Sequence, residues 1–152
     1  MKFLFVDQIN AFEGSRIVGE KRLRPDEPYL AWHFPEAPIL PGNLIVEAAT
    51  QLAGWLVAAN SGFSSWLLLT AVERARFFRF VRPGEAVLIE VVCEGLDDVD
   101  DEGIKYTFVA HVGDDECASA QCTGQRVPLA DLDDPEDVRR AFDALSAEGQ
   151  TA

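Results

Sequence analysis

Seventeen consecutive residues constrain this chain more than any other feature. The run from Asn43 to Ala59 is apolar around almost its whole circumference, with Asn43, Glu47, Thr50 and Gln51 as its polar side chains. A helix of that kind is stable only when covered on nearly all sides. The chain has 152 residues, which suits a single core, so the rest of the chain must supply the cover. Asn60, Ser61 and Gly62 are a helix stop. Glu47 and Gln51, four residues apart, share one face of the helix.

The cover reads as a sheet. Residues 3–6, 14–24, 66–81, 85–95, 104–112 and 117–127 are strand candidates, several with alternating apolar residues such as Val87, Ile89 and Val91. Acidic turns at 97–102 and 114–116 separate the later ones. Short connections of this sort join antiparallel neighbours. The expected class is α+β, an antiparallel sheet wrapped around one long central helix. A second helix closes the chain. Asp134 is the expected N-cap, Pro135 occupies the first helical position, and Val138, Ala141, Phe142 and Leu145 form one apolar stripe. The expected division is a wrapped-helix domain over 1–128 and an acidic helical extension over 129–152.

Charge narrows the partners. The formal net charge is −13, yet residues 1–93 carry nine basic and ten acidic side chains, while 94–152 carry four and sixteen. That balance argues against nucleic acid and against an anionic membrane surface. The apolar stretch 44–59 is too short and too interrupted to span a bilayer. No leader with a cleavage site is evident, so a soluble, cytoplasmic chain is expected. Cys93, Cys117 and Cys122 are odd in number, form no C-x-x-C and lack neighbouring histidines, so buried thiols are expected, not disulfides or a metal site.

Chemistry concentrates in one stretch. Pro25, Pro28, Pro35, Pro38 and Pro41 stiffen a loop that carries His33 and runs into the helix bearing Glu47. His111, between Ala110 and Val112 in an alternating run, reads as packed or solvated. A histidine that accepts a proton and a carboxylic acid that donates one are the parts of an acid–base elimination. Gly42 and Asn43 open the helix, where free N–H groups and the helix dipole can polarise a carbonyl oxygen. A base, an acid and a carbonyl-polarising helix start suit proton removal next to a carbonyl with loss of a β-leaving group.

The same stretch resembles a known family. His33-Phe34-Pro35 through Pro41-Gly42 to Glu47, Ala48 and Gln51 is similar to the pattern H-F-P-G-x-P-x-x-P-G-x-L-x-x-E-A-x-x-Q of the hotdog-fold β-hydroxyacyl-(acyl carrier protein) dehydratases. Val72 to Gly84 resembles that family's A-R-F-R-R-x-V-x-P-G-D strand, and Phe3 to Asp7 its F-L-L-V-D opening. The resemblance implies a hotdog fold over roughly 3–127 and no cofactor. It implies His33 as the base for the C2 proton of a (3R)-hydroxyacyl thioester and Glu47 as the acid that assists loss of water. It implies the Gly42 and Asn43 N–H groups as holders of the thioester oxygen and Gln51 as support for the Glu47 carboxyl. A Glu at position 47 resembles the dehydratase-only branch. The implied assembly is a homodimer, or a trimer of such dimers, with His from one subunit facing Glu from the other. The implied substrate carrier is acyl carrier protein or CoA.

Two positions depart from the pattern. Trp32 and Glu36 stand where the family has glycine, which points to an altered substrate entrance and a specialised, polyketide- or polyene-like pathway. Arg74, Arg76, Arg79 and Arg82 form a basic group in which Arg74 and Arg76 share a strand face and Arg79 falls out of phase. It reads either as a solvated face or as a docking surface for an acidic acyl carrier protein. A hotdog thioesterase and a non-catalytic acyl-thioester-binding subunit of a dehydratase complex are the competing readings.

Overall fold

A computed structural model describes residues 3–98 and 103–150, with side chains to residue 147. Part of the expected acidic turn, 99–102, lies outside the described residues. Six antiparallel strands form one sheet: β1 (Gln8–Glu13), β2 (Arg16–Arg22), β3 (Ser65–Phe77), β4 (Ala86–Glu94), β5 (Ile104–Val112) and β6 (Asp115–Pro128). Their spatial order is β1-β2-β4-β5-β6-β3. Helix α1 (Gly42–Asn60) packs against one face of the sheet, and helix α2 (Pro135–Gln150) closes the chain.

Alternation explains the wrap. Val87, Ile89, Val91 and Cys93 of β4 and Ile104, Tyr106, Phe108 and Ala110 of β5 point inward, and all are buried. They meet a helix buried continuously from Ala48 to Ala58. The first turns of α1 behave differently. Leu44, Val46 and Glu47 are only half-buried, so the helix is sealed at its C-terminal two-thirds and opens toward its start. Gly62, at φ +63°, follows the last turn and lets the chain leave the helix at once.

One expectation fails in the N-terminal segment, and one strand there was not expected. Residues 3–6 are not a strand. Their backbone partners come from a side chain: the Phe5 N–H donates to Gln51 Oε1, and Gln51 Nε2 donates to the Phe3 carbonyl, both at 2.8 Å. The first strand is instead β1, whose sequence QINAFE shows no apolar alternation because only its first two residues are buried.

β3 carries two register shifts against β6, between Leu69 and Ala71 and between Glu73 and Arg76. Arg74 lies at the second with φ +52°. A bulge inserts an extra residue and breaks the two-residue alternation, so Arg74 and Arg76 do not keep a common phase through it, contrary to the strand-face expectation. β3 is also the bare edge of the sheet, exposed from Leu68 onward.

α2 covers the opposite edge. Asp134 caps it, accepting from the Glu136 N–H at 2.9 Å. Phe142 packs edge-on against Phe12 of β1 and Phe63, and tilts against Trp55 of α1. Val138 and Leu145 belong to the same core cluster as the sheet and α1. The three thiols are buried and free, and desolvation pushes Cys93 up to about 12. No helix among the described residues is long and apolar enough to cross a membrane.

Candidate active site

The loop bearing His33 is held at both ends. Its start is a 3₁₀ turn, Pro28–Ala31, preceded by Glu27. The Glu27 carboxylate accepts from Lys21 Nζ at 2.8 Å, and Asp7 lies 3.5 Å from the same ammonium. Lys21 is 4% exposed, so this charge is retained in the interior only because it is paired. The far end is tied to the sheet side by the Leu40 N–H, which donates to the Val81 carbonyl. Lys21 and Glu27 are absent from the sequence reading. The available signal was the phase of Lys21, which shares the inward side of β2 with Ile17 and Gly19.

Within the loop, His33 Nδ1 lies 3.1 Å from the Ile39 carbonyl oxygen. A carbonyl only accepts, so Nδ1 carries the proton. In the neutral ring Nε2 then keeps its lone pair, as a general base requires. The Phe34 ring packs edge-on against His33, 4.7 Å between centroids, from a residue at φ +57°. That left-handed backbone costs a non-glycine residue energy, and it turns the chain so that Ile39 can reach back to His33.

Glu47 is half-buried, less enclosed than an all-apolar helix suggested, and its Oε1 accepts from Gln51 Nε2 at 2.8 Å. Gln51, on the same face of the helix, thus holds the Glu47 carboxyl and pins residues 3–5 with its remaining capacity. The N–H groups of Gly42 and Asn43 have no acceptor among the described residues, and Pro41 offers no side-chain cap. A Cβ at position 42 would fall 2.8 Å from the Phe77 ring, so a larger residue here would have to displace that ring. Among the described residues, no hydrogen bond or ion pair joins His33 to Glu47 within one chain. None of them form a group of three His, Cys, Asp or Glu side chains suited to a metal ion.

Residues 1–121 match the FabA-like domain. The chain belongs to the FabA-like family. The 3-hydroxyacyl-(acyl-carrier-protein) dehydratase FabZ of Thermoanaerobacter sp. (strain X514) is 40% identical over 121 residues, covering 78% of this chain and 83% of the relative. The enzyme of the same name from Acidovorax sp. (strain JS42) is 36% identical over 132 residues, covering 82% and 89%. Among solved structures, the dehydratase heterocomplex ApeI:P from Xenorhabdus doucetiae aligns with TM-score 0.60 and 18% identity over 75% of this chain and 90% of that one. The thioesterase HI1161 from Haemophilus influenzae aligns with TM-score 0.56 and 15% identity over 82% and 79%. At those identities the structures establish the hotdog fold.

The arginine group of this FabA-like chain divides. Arg79 is engaged: its guanidinium makes a two-pronged pair with Glu85 at 2.8 and 3.0 Å and lies 3.6 Å from Asp115. Glu85 also accepts the Arg82 N–H, and these donors lower its carboxyl to about 2. Arg74, Arg76 and Arg82 have no ion pair among the described residues. Arg82 borders an apolar pocket of about 560 Å³ walled by Phe34, Pro38, Ile39 and Phe80.

Proposed function

We propose that this FabA-like chain dehydrates (3R)-hydroxyacyl thioesters carried on acyl carrier protein to trans-2-enoyl thioesters, in cytoplasmic fatty-acid or polyketide-like biosynthesis. The observation that carries the reading is the Nδ1 bond from His33 to Ile39, which frees Nε2 as a base. The Gly42 and Asn43 N–H groups hold the thioester oxygen as negative charge develops there. His33 Nε2 takes the C2 proton, and the electron pair left behind forms the C2–C3 double bond. The C3–O bond breaks, and Glu47, oriented by Gln51, gives its proton to the departing hydroxyl as water. The later return of the proton from His33 toward Glu47 resets the site.

The site is completed in a homodimer, with His33 of one copy facing Glu47 of the other. Support comes from the missing His33–Glu47 contact within one chain and from the bare, thirteen-residue β3 edge. Unpaired strand edges of that length call for a partner. Arg74, Arg76 and Arg82 receive the acidic carrier, while Arg79 braces the turn beneath them.

The test interconverts a 3-hydroxyacyl and a 2-enoyl thioester. His33→Ala and Glu47→Gln should each lower kcat by at least ~10²-fold, the usual contribution of a positioned acid or base, while the dimer persists. Wild-type turnover in either variant would overturn the assignment, and release of free thiol by the unmodified protein would favour a thioesterase instead.

A further inference from the structure

We infer that Lys21 is a positioning residue, whose buried ammonium fixes the loop that carries His33 against the helix that carries Glu47. This rests on the dehydratase reading above. Lys21 is 4% exposed, and its Nζ meets Glu27 Oε1 at 2.8 Å and Asp7 Oδ2 at 3.5 Å, with the Phe5 ring centroid 6.0 Å away. Burying a charged pair costs desolvation, and well-packed apolar residues often hold a fold equally well. What the pair adds is direction. A charge-assisted hydrogen bond fixes one geometry, whereas apolar contact is non-directional and lets neighbours slide.

Both ends of that contact lead to the site. On the loop side, Glu27 directly precedes the 3₁₀ turn Pro28–Ala31. The Leu30 N–H donates to the Glu27 carbonyl at 3.1 Å, and the His33 N–H donates to the Leu30 carbonyl at 3.4 Å. Two linked turns thus pass the position of Glu27 on to His33, whose Nδ1 sits 3.1 Å from the Ile39 oxygen. Arg24 also approaches Glu27 Oε1, at 3.9 Å, but is exposed and holds it less firmly. On the helix side, Lys21 belongs to β2, and Gly19 lets that strand press on α1. A Cβ on Gly19 would stand 2.5 Å from the side chain of Leu52, the neighbour of Gln51. Asp7 ends the segment that Gln51 pins through the Phe5 N–H, and the Phe5 ring tilts against Tyr29 of the turn at 5.9 Å. Asp7 is itself tied to β2: its N–H donates to the Glu20 carbonyl, and its carboxylate accepts from the Arg22 N–H. Lys21 therefore references the base to the same frame that holds the Glu47 carboxyl.

The experiment compares the unmodified protein with Glu27→Gln and with the double variant Lys21→Met with Glu27→Met. Glu27→Gln leaves Lys21 its Asp7 partner, and the double variant removes both charges, so neither strands an unpaired ion in the interior. Turnover of one 3-hydroxyacyl thioester is measured well below each Tm. Nitrogen NMR of the imidazole rings reports which nitrogen carries the proton. The chain has two histidines, and the His33 signals are those lost in His33→Ala. In both variants kcat should fall about 10–100-fold with KM within about twofold of wild type, the mark of a displaced base and not of weaker binding. Neutral His33 should also lose its preference for the Nδ1–H form. Wild-type kcat in the folded double variant would show that the pair serves stability alone and overturn the inference. So would an unchanged His33 tautomer, or a loss expressed in KM. If the unmodified protein dehydrates no 3-hydroxyacyl thioester, the dehydratase reading fails, and the His33 tautomer still decides whether Lys21 positions that ring.

Discussion

Gln51→Ala separates what this side chain does for stability from what it does for chemistry. The amide makes three hydrogen bonds of 2.8 Å: from the Phe5 N–H, to the Phe3 carbonyl and to Glu47 Oε1. Two are neutral, worth about 1 kcal/mol each, and the one to Glu47 is worth about 1.5–3 if the carboxyl is ionised. Water can replace part of this, because Phe3 is exposed and Glu47 half-buried, whereas the Phe5 N–H would be left buried and unpaired. The expected net cost is about 2–3 kcal/mol, which for a chain of this size lowers Tm by roughly 5–10 °C. Freed from Gln51, the Glu47 carboxyl samples other orientations, and kcat should fall about 10–100-fold with KM little changed. Gln51→Glu keeps an oxygen for the Phe5 N–H but sets a second carboxyl against Glu47. Two such groups share a proton up to higher pH than one alone. That crowding of two carboxyls should lower kcat in this variant as well. Thermal melts and kcat–pH profiles of both variants make the measurement. A kcat within twofold of wild type in Gln51→Ala, assayed well below its Tm, would refute the orienting role.

Glu85→Gln tests the brace beneath the basic group. Because the folded Glu85 carboxyl sits near 2, below its ordinary 4.5, its contribution is present above the ordinary value and is lost as pH falls from about 4.5 toward 2. Urea midpoints against pH should therefore fall less steeply in the variant across that window, and parallel curves would count against the brace. Phe142→Ala removes three ring contacts that join α2 to β1 and α1. For a half-buried ring we expect about 2–3 kcal/mol lost in urea unfolding, under the 3–5 typical of core Phe, with kcat/KM at 25 °C unchanged. A loss below ~0.5 kcal/mol, the level of an ordinary surface change, would mean α2 does not secure the core.

Legibility in the sequence followed the range of the forces involved. The boundaries of α1, β4 and β5 fall within a residue of expectation because burial periodicity is a local property of the chain. The N-terminal segment 3–6 was misread because its hydrogen bonds come from Gln51, forty-six residues away from Phe5. The Arg74–Arg76 phase was misread because a bulge depends on how β3 meets β6. Arg79 looked free for a partner, and only the fold brings Glu85 and Asp115 around it.

The sequence by itself determined the class of fold, since an all-round apolar helix must be wrapped, and the residue types of the site, since His33, Glu47 and Gln51 stand at spacings that one loop and one helix turn fix. Tertiary structure decided which nitrogen of His33 is engaged, because the Ile39 carbonyl, six residues on, is brought against Nδ1. It also decided which cations remain available, because ion pairing depends on distances across strands that no local pattern records.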